Sequence, residues 1–148
     1  TIAGGSSDGT EELSEKIDEL GLEAYVDLKL DLSSDNKLAL YSSSDLYIQP
    51  SYYEGFGNAV LEAMCFGIPA VVSRNTAQVE VIGDSGFIVE EIDAASIARV
   101  LSSYLYLSNE DRKLMRLKVR QTIVERHLFC YRVAKFSDIC TGDMSKKT

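Results

Sequence analysis

The sequence predicts an α/β fold: an open, mostly parallel Rossmann-like sheet with helices on both faces. Short apolar runs alternate with segments of helical periodicity along the 148 residues. These runs are continuously apolar, as is typical of strands that are buried on both faces of a parallel sheet. Hydrophobic residues make up 45% of the chain, which is enough for a core in a domain of this length.

The element boundaries follow from apolar spacing and from stop signals. Leu13 and Ile17 share one face of the first helix, for which Asp8 or Thr10 is the expected N-cap. Gly21 is expected to end that helix. The predicted strands cover 1–3, 24–28, 45–49, 68–73 and 86–89, and the predicted helices cover 10–20, 37–44, 58–66, 77–82, 94–107, 110–128 and 129–139.

Charge divides the chain into two parts. Residues 1–111 carry 5 basic and 20 acidic side chains, a net charge of −15, whereas residues 112–148 carry 10 basic and 3 acidic ones, a net charge of +7. The acidic part disfavours nucleic-acid binding, because phosphates require a basic surface. We expect an α/β domain over 1–110, basic helices over 111–140 and a flexible polar tail over 141–148.

Several classes of protein and site are disfavoured. No run of 18 apolar residues predicts a transmembrane helix, and the first residues have no signal-peptide pattern. No cluster of His, Asp or Cys has the spacing of metal ligands, so no metal is expected. His127 and the aromatic pair Tyr104 and Tyr106 are interpreted as packing residues. The cysteines are expected to be reduced, mostly buried thiols of a cytoplasmic protein: Cys65, Cys130 and Cys140.

Residues 50–64, PSYYEGFGNAVLEAM, carry the strongest functional signal. A strand is expected to end at Pro50, and the loop after it delivers Glu54 to the carboxyl edge of the sheet. Ligands of open parallel sheets bind at that edge. Gly55 and Gly57 leave the backbone uncovered, so a ligand can approach it closely.

The helix that follows adds an anion site and a second acid. It is expected to begin at Gly57 or Asn58, and its N–H groups and dipole favour a phosphate. Glu62 lies eight residues after Glu54, so the two carboxylates face different parts of one elongated ligand. Sugar hydroxyls donate well to carboxylates, and a nucleotide-sugar has hydroxyls at both ends with a diphosphate between them. The spacing alone leaves open that both acids are solvated surface residues.

The same segment resembles the E-x7-E signature of the group 1 family of retaining glycosyltransferases, which have the GT-B fold. The resemblance covers roughly residues 1–110 and implies that the chain is the C-terminal, donor-binding half of such an enzyme, with a UDP- or GDP-sugar as donor and no cofactor. Other matching stretches follow the family's order: IAGG at 2–5, LY at 40–41, SD at 44–45, GIPAVVS at 67–73, EVI at 80–82 and GDSGFIV at 83–89.

The resemblance also implies residue roles. Glu54 would be the catalytic residue, binding hydroxyls of the transferred sugar and stabilising charge near its anomeric carbon. Glu62 would hold the ribose hydroxyls, and the helix from Asn58 would face the diphosphate. The donor-binding residues implied in this way are Gly55, Phe56, Gly57, Asn58 and Glu62.

The sequence departs from the family pattern in several ways. Relative to that pattern, it is expected to begin after the strand and helix that usually carry basic residues for the diphosphate, and to be without the acceptor-binding N-terminal domain. Thr76, Ala77 and Lys29 stand where the family often has glycine. The chain by itself is therefore expected to be an inactive fragment. Two alternatives remain: a nucleotide-sugar epimerase of the same fold, and a non-catalytic module that binds a nucleotide-sugar or docks to a partner.

The basic C-terminal region has three interpretations. Residues 112–135 carry eight Lys or Arg side chains and one acid, Glu125. They are interpreted as a solvated helix end that complements a helix dipole, as a docking surface for the missing N-terminal half, or as a peripheral contact with an anionic membrane. Arg74 is interpreted either as an exposed loop cation or as a phosphate ligand.

Overall fold

A computed structural model describes residues 1–7 and 9–127 of the chain. Its internal contacts divide the chain into two compact units, residues 1–43 and residues 44–148. All the described strand pairs are parallel, so the predicted α/β class with open parallel sheets is confirmed. The domain boundaries expected near 110 and 140 stay predictions. The helix predicted over 129–139, Cys130, Cys140 and the tail lie outside the described residues.

The first unit is a β-α-β-α segment. Strand β1 (Ile2–Gly4) pairs in parallel with β2 (Leu28–Leu30), and they are connected by helix α1 (Gly9–Glu19); helix α2 (Ser34–Ser43) follows. The strand expected at 24–28 is therefore wrong in its position. Turns form there instead, because the amides of Tyr25 and Val26 both donate to the Leu22 carbonyl.

The ends of these elements have local explanations. Gly21 has φ 62° and follows α1, as predicted for a helix-ending glycine. Thr10 lies inside α1, where its hydroxyl accepts a hydrogen bond from the Ser7 amide at 3.0 Å. At the end of β2, the Asp31 carboxylate accepts from the Ser6 amide at 3.1 Å, and hydrogen bonds with Ser6 lower the pKa of Asp31. The carboxyl ends of the two strands are thus connected.

The second unit has a three-stranded sheet whose strands lie in the order β3 (Tyr47–Gln49), β4 (Ala70–Ser73) and β5 (Phe87–Val89). The central strand β4 is buried at all four residues, which explains why its sequence, AVVS, is almost continuously apolar. Gln49 at the end of β3 is in register with Val72, and Ser73 is in register with Val89. Its elements are β3 (Tyr47–Gln49), α3 (Asn58–Cys65), β4 (Ala70–Ser73), α4 (Gln78–Ile82), β5 (Phe87–Val89), α5 (Ala94–Leu105), α6 (Asn109–Thr122) and a π-helical turn (Ile123–His127).

One apolar cluster holds α3 in place. It combines side chains from α3, β4, α4, α6 and the π-helical turn, so α3 is packed against four other elements. Full burial of an aliphatic side chain contributes about 1.5–3 kcal/mol. The buried members of the cluster are Val60, Met64, Ala70, Val72, Val81, Ile82, Val119 and Ile123.

Two arginines of the basic region lie against the ends of buried helices. Gly67 follows α3 with φ 73°, and a Cβ there would lie 2.6 Å from Nε of Arg120. Gly83 follows α4 with φ 51°, and a Cβ there would lie 2.8 Å from Nη1 of Arg126. Cations near helix C-termini complement the helix dipole. Part of the basic region therefore packs against α3 and α4 of the same unit, and the dipole, docking and membrane interpretations all stay predictions.

The two tyrosines at the end of α5, Tyr104 and Tyr106, differ in burial. Tyr104 is buried, and its hydroxyl donates to the Asp45 carbonyl at 3.0 Å while its ring meets Phe87 edge-on. The packing prediction is confirmed for Tyr104. It is wrong for Tyr106, which is 89% exposed because it caps α5 beyond the last packed turn.

We expect Tyr104→Phe to lower the free energy of unfolding by about 0.5–1.5 kcal/mol, because it removes the hydrogen bond from the buried Tyr104 to the Asp45 carbonyl. Urea unfolding measures the change. Tyr106→Phe is the matched control, with a change within about 0.5 kcal/mol. Equal effects of the two substitutions would contradict the assignment.

Candidate functional site

Strand β3 and helix α3 place the two predicted acids. Glu54 lies in the loop 50–57 that connects them, and Glu62 lies in the second turn of α3. Both side chains are half-buried, whereas Asn58, the first residue of α3, is exposed. The predicted strand end before Pro50 and the helix start at Asn58 are both confirmed.

Glu54 is held by two hydrogen bonds. Its Oε2 accepts from Nε2 of Gln49 at 2.8 Å, and its Oε1 accepts from the Gly55 amide at 3.1 Å. The side-chain amide oxygen of Gln49, Oε1, in turn accepts from the Tyr47 hydroxyl at 2.9 Å. Glu54 is therefore an oriented acid at the end of a strand, rather than a freely solvated one.

Tyr47 connects the two acids electrostatically. Burial raises the pKa of the Tyr47 phenol to about 12, and the negative charges of Glu54 and Glu62 contribute to the increase. Both carboxylates are thus close enough to Tyr47 for their charges to act on its hydroxyl. The phenol stays protonated at neutral pH and remains a hydrogen-bond donor.

Gly57 forms the turn between the two acids. It is the N-cap of α3, with φ 79° and ψ 52°, and supplies no side-chain hydrogen bond to the helix. A Cβ at this position would lie 2.8 Å from Cγ of Gln78, so both the backbone conformation and the packing require glycine. At Gly55, by contrast, a Cβ would meet no atom within 4 Å. The backbone of this loop is open at Gly55, as the sequence predicts. The same prediction is wrong for Gly57, which is buried because the Gln78 side chain covers it.

Sequence reasoning missed several residues of this region. Gln49 and Tyr47 looked like ordinary strand positions, and their contact with Glu54 depends on side-chain geometry. Tyr52 and Tyr53, 83% and 90% exposed, directly precede Glu54. The signal that could have found these two was the density of aromatic residues in a loop, where solvation would favour polar ones.

Other candidate residues have structural partners. Arg74, in the loop after β4, donates from Nε to Oε2 of Glu90 at 2.9 Å, and its Nη2 also contacts Oε1. This pairing agrees with the interpretation of Arg74 as a loop cation, and it lowers the pKa of Glu90. His127 is half-buried and its Nε2 lies 3.0 Å from the Val81 carbonyl oxygen, as expected for a packing residue.

Cys65 is exposed, so the expectation of a buried thiol is wrong for this residue. It lies on the outer face of α3, one turn after Glu62. Partial desolvation and the Glu62 charge raise the pKa of the thiol, which therefore stays protonated at neutral pH.

Two classes of feature are missing from the part of the chain that the structure describes. Across residues 1–7 and 9–127, no three or more His, Cys, Asp or Glu side chains come together in a way that could hold a metal ion. Within those same ranges, no helix has the length and apolar character needed to cross a membrane.

The parallel strands and intervening helices agree with the Rossmann-like α/β architecture expected from the sequence. The chain belongs to the group 1 glycosyl transferase family, because residues 1–121 match the model of that family. The predicted family is thereby confirmed. The match extends beyond the roughly 110 residues over which the motifs were recognised, to the end of α6.

Similar proteins support this assignment. The chain is 35% identical to MMP alpha-(1->4)-mannosyltransferase of Mycolicibacterium hassiacum over 101 aligned residues. The aligned region covers 68% of this chain and 25% of that enzyme. The chain spans about a quarter or less of the length of the curated relatives it matches.

Two solved structures share the fold. One is the C-terminal domain of a group 1 glycosyl transferase, LpcC, from Francisella tularensis (TM-score 0.70, 23% identity, 82% of this chain and 64% of that chain). The other is Anabaena Alr3699/HepE in complex with UDP and glucose (TM-score 0.72, 20% identity, 96% of this chain and 40% of that chain).

The Tyr47 phenol gives a pH prediction. Its folded pKa of about 12 lies above the ordinary value of 10, so the folded state loses stability as the pH rises from 10 to 12. Tyr47→Phe should make this loss of stability smaller. In an absorbance titration at alkaline pH, measured by rapid mixing, the same substitution should remove the one tyrosine that ionises near pH 12. Glu54→Gln should make the same phenolate appear at lower pH, and an unchanged titration would contradict the proximity of the two groups.

The two glycines of the loop give a paired stability prediction. Gly57→Ala should lower the free energy of unfolding by about 2 kcal/mol or more, because it combines a left-handed backbone with the contact at Gln78. Gly55→Ala should stay within about 0.5 kcal/mol of the wild type. Thermal or urea unfolding tests both, and similar losses for the two variants would refute this description of the turn.

Proposed function

We propose that this chain binds the nucleotide-sugar donor of a retaining glycosyltransferase that transfers a hexose to an acceptor hydroxyl. The proposal is supported by membership of the group 1 family. A mannosyltransferase relative and a structural neighbour in complex with UDP and glucose favour a hexose and a nucleoside diphosphate as the parts of the donor.

One observation carries the proposal. Glu54 is oriented at the end of β3 by the Gln49 side chain, directly before an open backbone at Gly55 and the turn at Gly57. In the proposed complex, Glu54 accepts hydrogen bonds from hydroxyls of the sugar and stabilises positive charge that develops near the anomeric carbon.

The remaining donor contacts follow from the direction of α3. Gly57 and Asn58 begin the helix, so its amide groups and dipole are proposed to face the diphosphate, with no metal in the proposed site. The exposed backbone at Gly55 and Phe56 is proposed to face the sugar, and the Gly55 amide, which donates to Glu54, would be shared between that carboxylate and the donor. Glu62 holds the ribose hydroxyls at the other end of the donor. Transfer to an acceptor requires a second domain, so we propose that this chain alone binds donor without transferring the sugar.

Calorimetry with UDP, GDP, a UDP-hexose and a GDP-hexose tests the division between the acids. Glu62→Ala should weaken binding of the nucleoside diphosphate about tenfold or more, because a charge-assisted hydrogen bond contributes about 1.5–3 kcal/mol. Glu54→Ala should remove only the additional affinity that the sugar supplies. The control is Glu91→Ala, an exposed acid outside the loop and α3, which should bind like the wild type.

The results separate the possible outcomes. Equal losses of both binding contributions in both variants would refute the division of roles, and no binding of any nucleoside diphosphate by the wild type would refute the donor site. Sugar transfer to an acceptor hydroxyl by the chain alone, followed with labelled donor, would refute the proposed need for a second domain.

A further inference from the structure

Gln49 is the last residue of β3, and its side chain joins that strand to the loop. Its Nε2 lies 2.8 Å from Oε2 of Glu54, and its carbonyl oxygen lies 2.9 Å from the Tyr47 hydroxyl. Loops are generally less rigid than the strands that carry them. A side chain that starts from a paired strand can therefore hold a loop residue in one position.

The strand itself is well fixed. Residues 47–49 of β3 are in parallel register with residues 70–72 of the buried strand β4. The position of the Gln49 backbone is thus set by the sheet. Sites supported by regular elements hold their geometry better than sites supported only by loops.

The chemistry of the three groups determines the orientation of the amide. An ionised carboxylate only accepts hydrogen bonds, so the Gln49 side chain must present its NH2 group to Glu54. Its carbonyl oxygen then faces Tyr47, whose hydroxyl donates to it. The reversed amide would place a carbonyl oxygen against a carboxylate, which is repulsive. Tyr47 and Glu54 therefore both favour the same orientation of Gln49.

The two hydrogen bonds leave Glu54 with accepting capacity. Each carboxylate oxygen has about two acceptor sites, and one site on each is used, by Gln49 and by the Gly55 amide. The remaining sites can accept from ligand hydroxyls in a defined direction. If the Gln49 bond were lost, the carboxylate could rotate, and binding would then have to restrict that rotation.

We propose that Gln49, oriented by Tyr47, is a positioning residue that holds the Glu54 carboxylate in the direction needed to bind the sugar of the donor. This inference rests on the proposed function. It assigns to Gln49 and Tyr47 a part in sugar recognition that acts through Glu54, without contact between either side chain and the sugar.

The inference is tested by calorimetry of Gln49→Leu, Gln49→Asn, Gln49→Glu and Tyr47→Phe. Each variant is titrated with a nucleoside diphosphate and with the corresponding nucleoside diphosphate-hexose. Gln49→Leu and Gln49→Asn, which is one methylene too short to reach Glu54, should lower the sugar-dependent part of the affinity about tenfold. Both should leave nucleoside diphosphate binding unchanged. Tyr47→Phe should give a smaller loss of the same kind, because the hydrogen bond from Gln49 to Glu54 is kept but less well oriented.

Gln49→Glu tests the positioning role through the pH dependence of sugar binding, which would not change if Gln49 had only a structural role. Two carboxylates at hydrogen-bonding distance cannot both remain charged without repulsion, and a shared proton relieves it. In this variant the sugar-dependent affinity should rise as the pH is lowered from 8 to 5.5, whereas the Gln49→Leu variant should show no such recovery. A pH profile identical to that of Gln49→Leu would overturn the inference.

Folding and the proposed function are tested separately. The side-chain amide protons of Gln49, observed by NMR in the wild-type chain, should exchange faster with water in Glu54→Ala, which tests the contact without any variant of Gln49. If Glu54→Ala leaves the sugar-dependent affinity unchanged, the proposed function fails. If Glu54→Ala lowers it but Gln49→Leu and Gln49→Asn do not, the proposed function stands and the positioning role of Gln49 is wrong.

Discussion

The left-handed turn at Gly57 is the constraint on which the candidate site depends. It ends the loop that carries Glu54 and begins the helix that carries Glu62, so its geometry determines the relation between the two acids. Gln78 packs against the α-carbon of Gly57 and leaves no space for a side chain. Two independent features thus require glycine at this turn: the left-handed backbone conformation and the contact with Gln78 of α4.

Packing transmits this constraint to the helix. Val60 and Met64 of α3 are buried in the cluster that includes β4, α4 and α6, which fixes the rotation of α3 about its axis. Glu62 and Cys65 are consequently left on the outer side of the helix, where Glu62 can act on the Tyr47 phenol and on the Cys65 thiol. The burial of one face of α3 therefore determines the electrostatics of the other.

The basic region shows how composition can mislead about role. A net charge of +7 over residues 112–148 suggests a surface for an anionic partner. In the structure, however, Arg120 and Arg126 lie against the turns that follow α3 and α4, and Arg116 pairs with Asp45 at 3.4 Å. These arginines lie close to other residues of the second unit, so part of the positive charge of this segment faces the protein itself.

The sequence by itself determined the features that depend on neighbouring residues. The apolar run ending in β4, the helix start at Asn58 and the E-x7-E spacing are all local patterns. They sufficed for the fold class, the family and the positions of the two acids on either side of the turn at Gly57. Local pattern also misplaced β2, because turn formation at residues 22–26 competes with strand propensity there.

Only the tertiary structure decided which side chains meet. Tyr104 is buried and donates a hydrogen bond to the carbonyl of Asp45, 59 residues away, whereas Tyr106 is exposed, although both residues look alike in sequence. Gln49 is only five residues from Glu54, yet their contact depends on how the loop folds back on the end of β3. The periodicity of a sequence reports which face of an element is buried, but the partner of a polar side chain depends on distances of a few ångströms that periodicity does not contain.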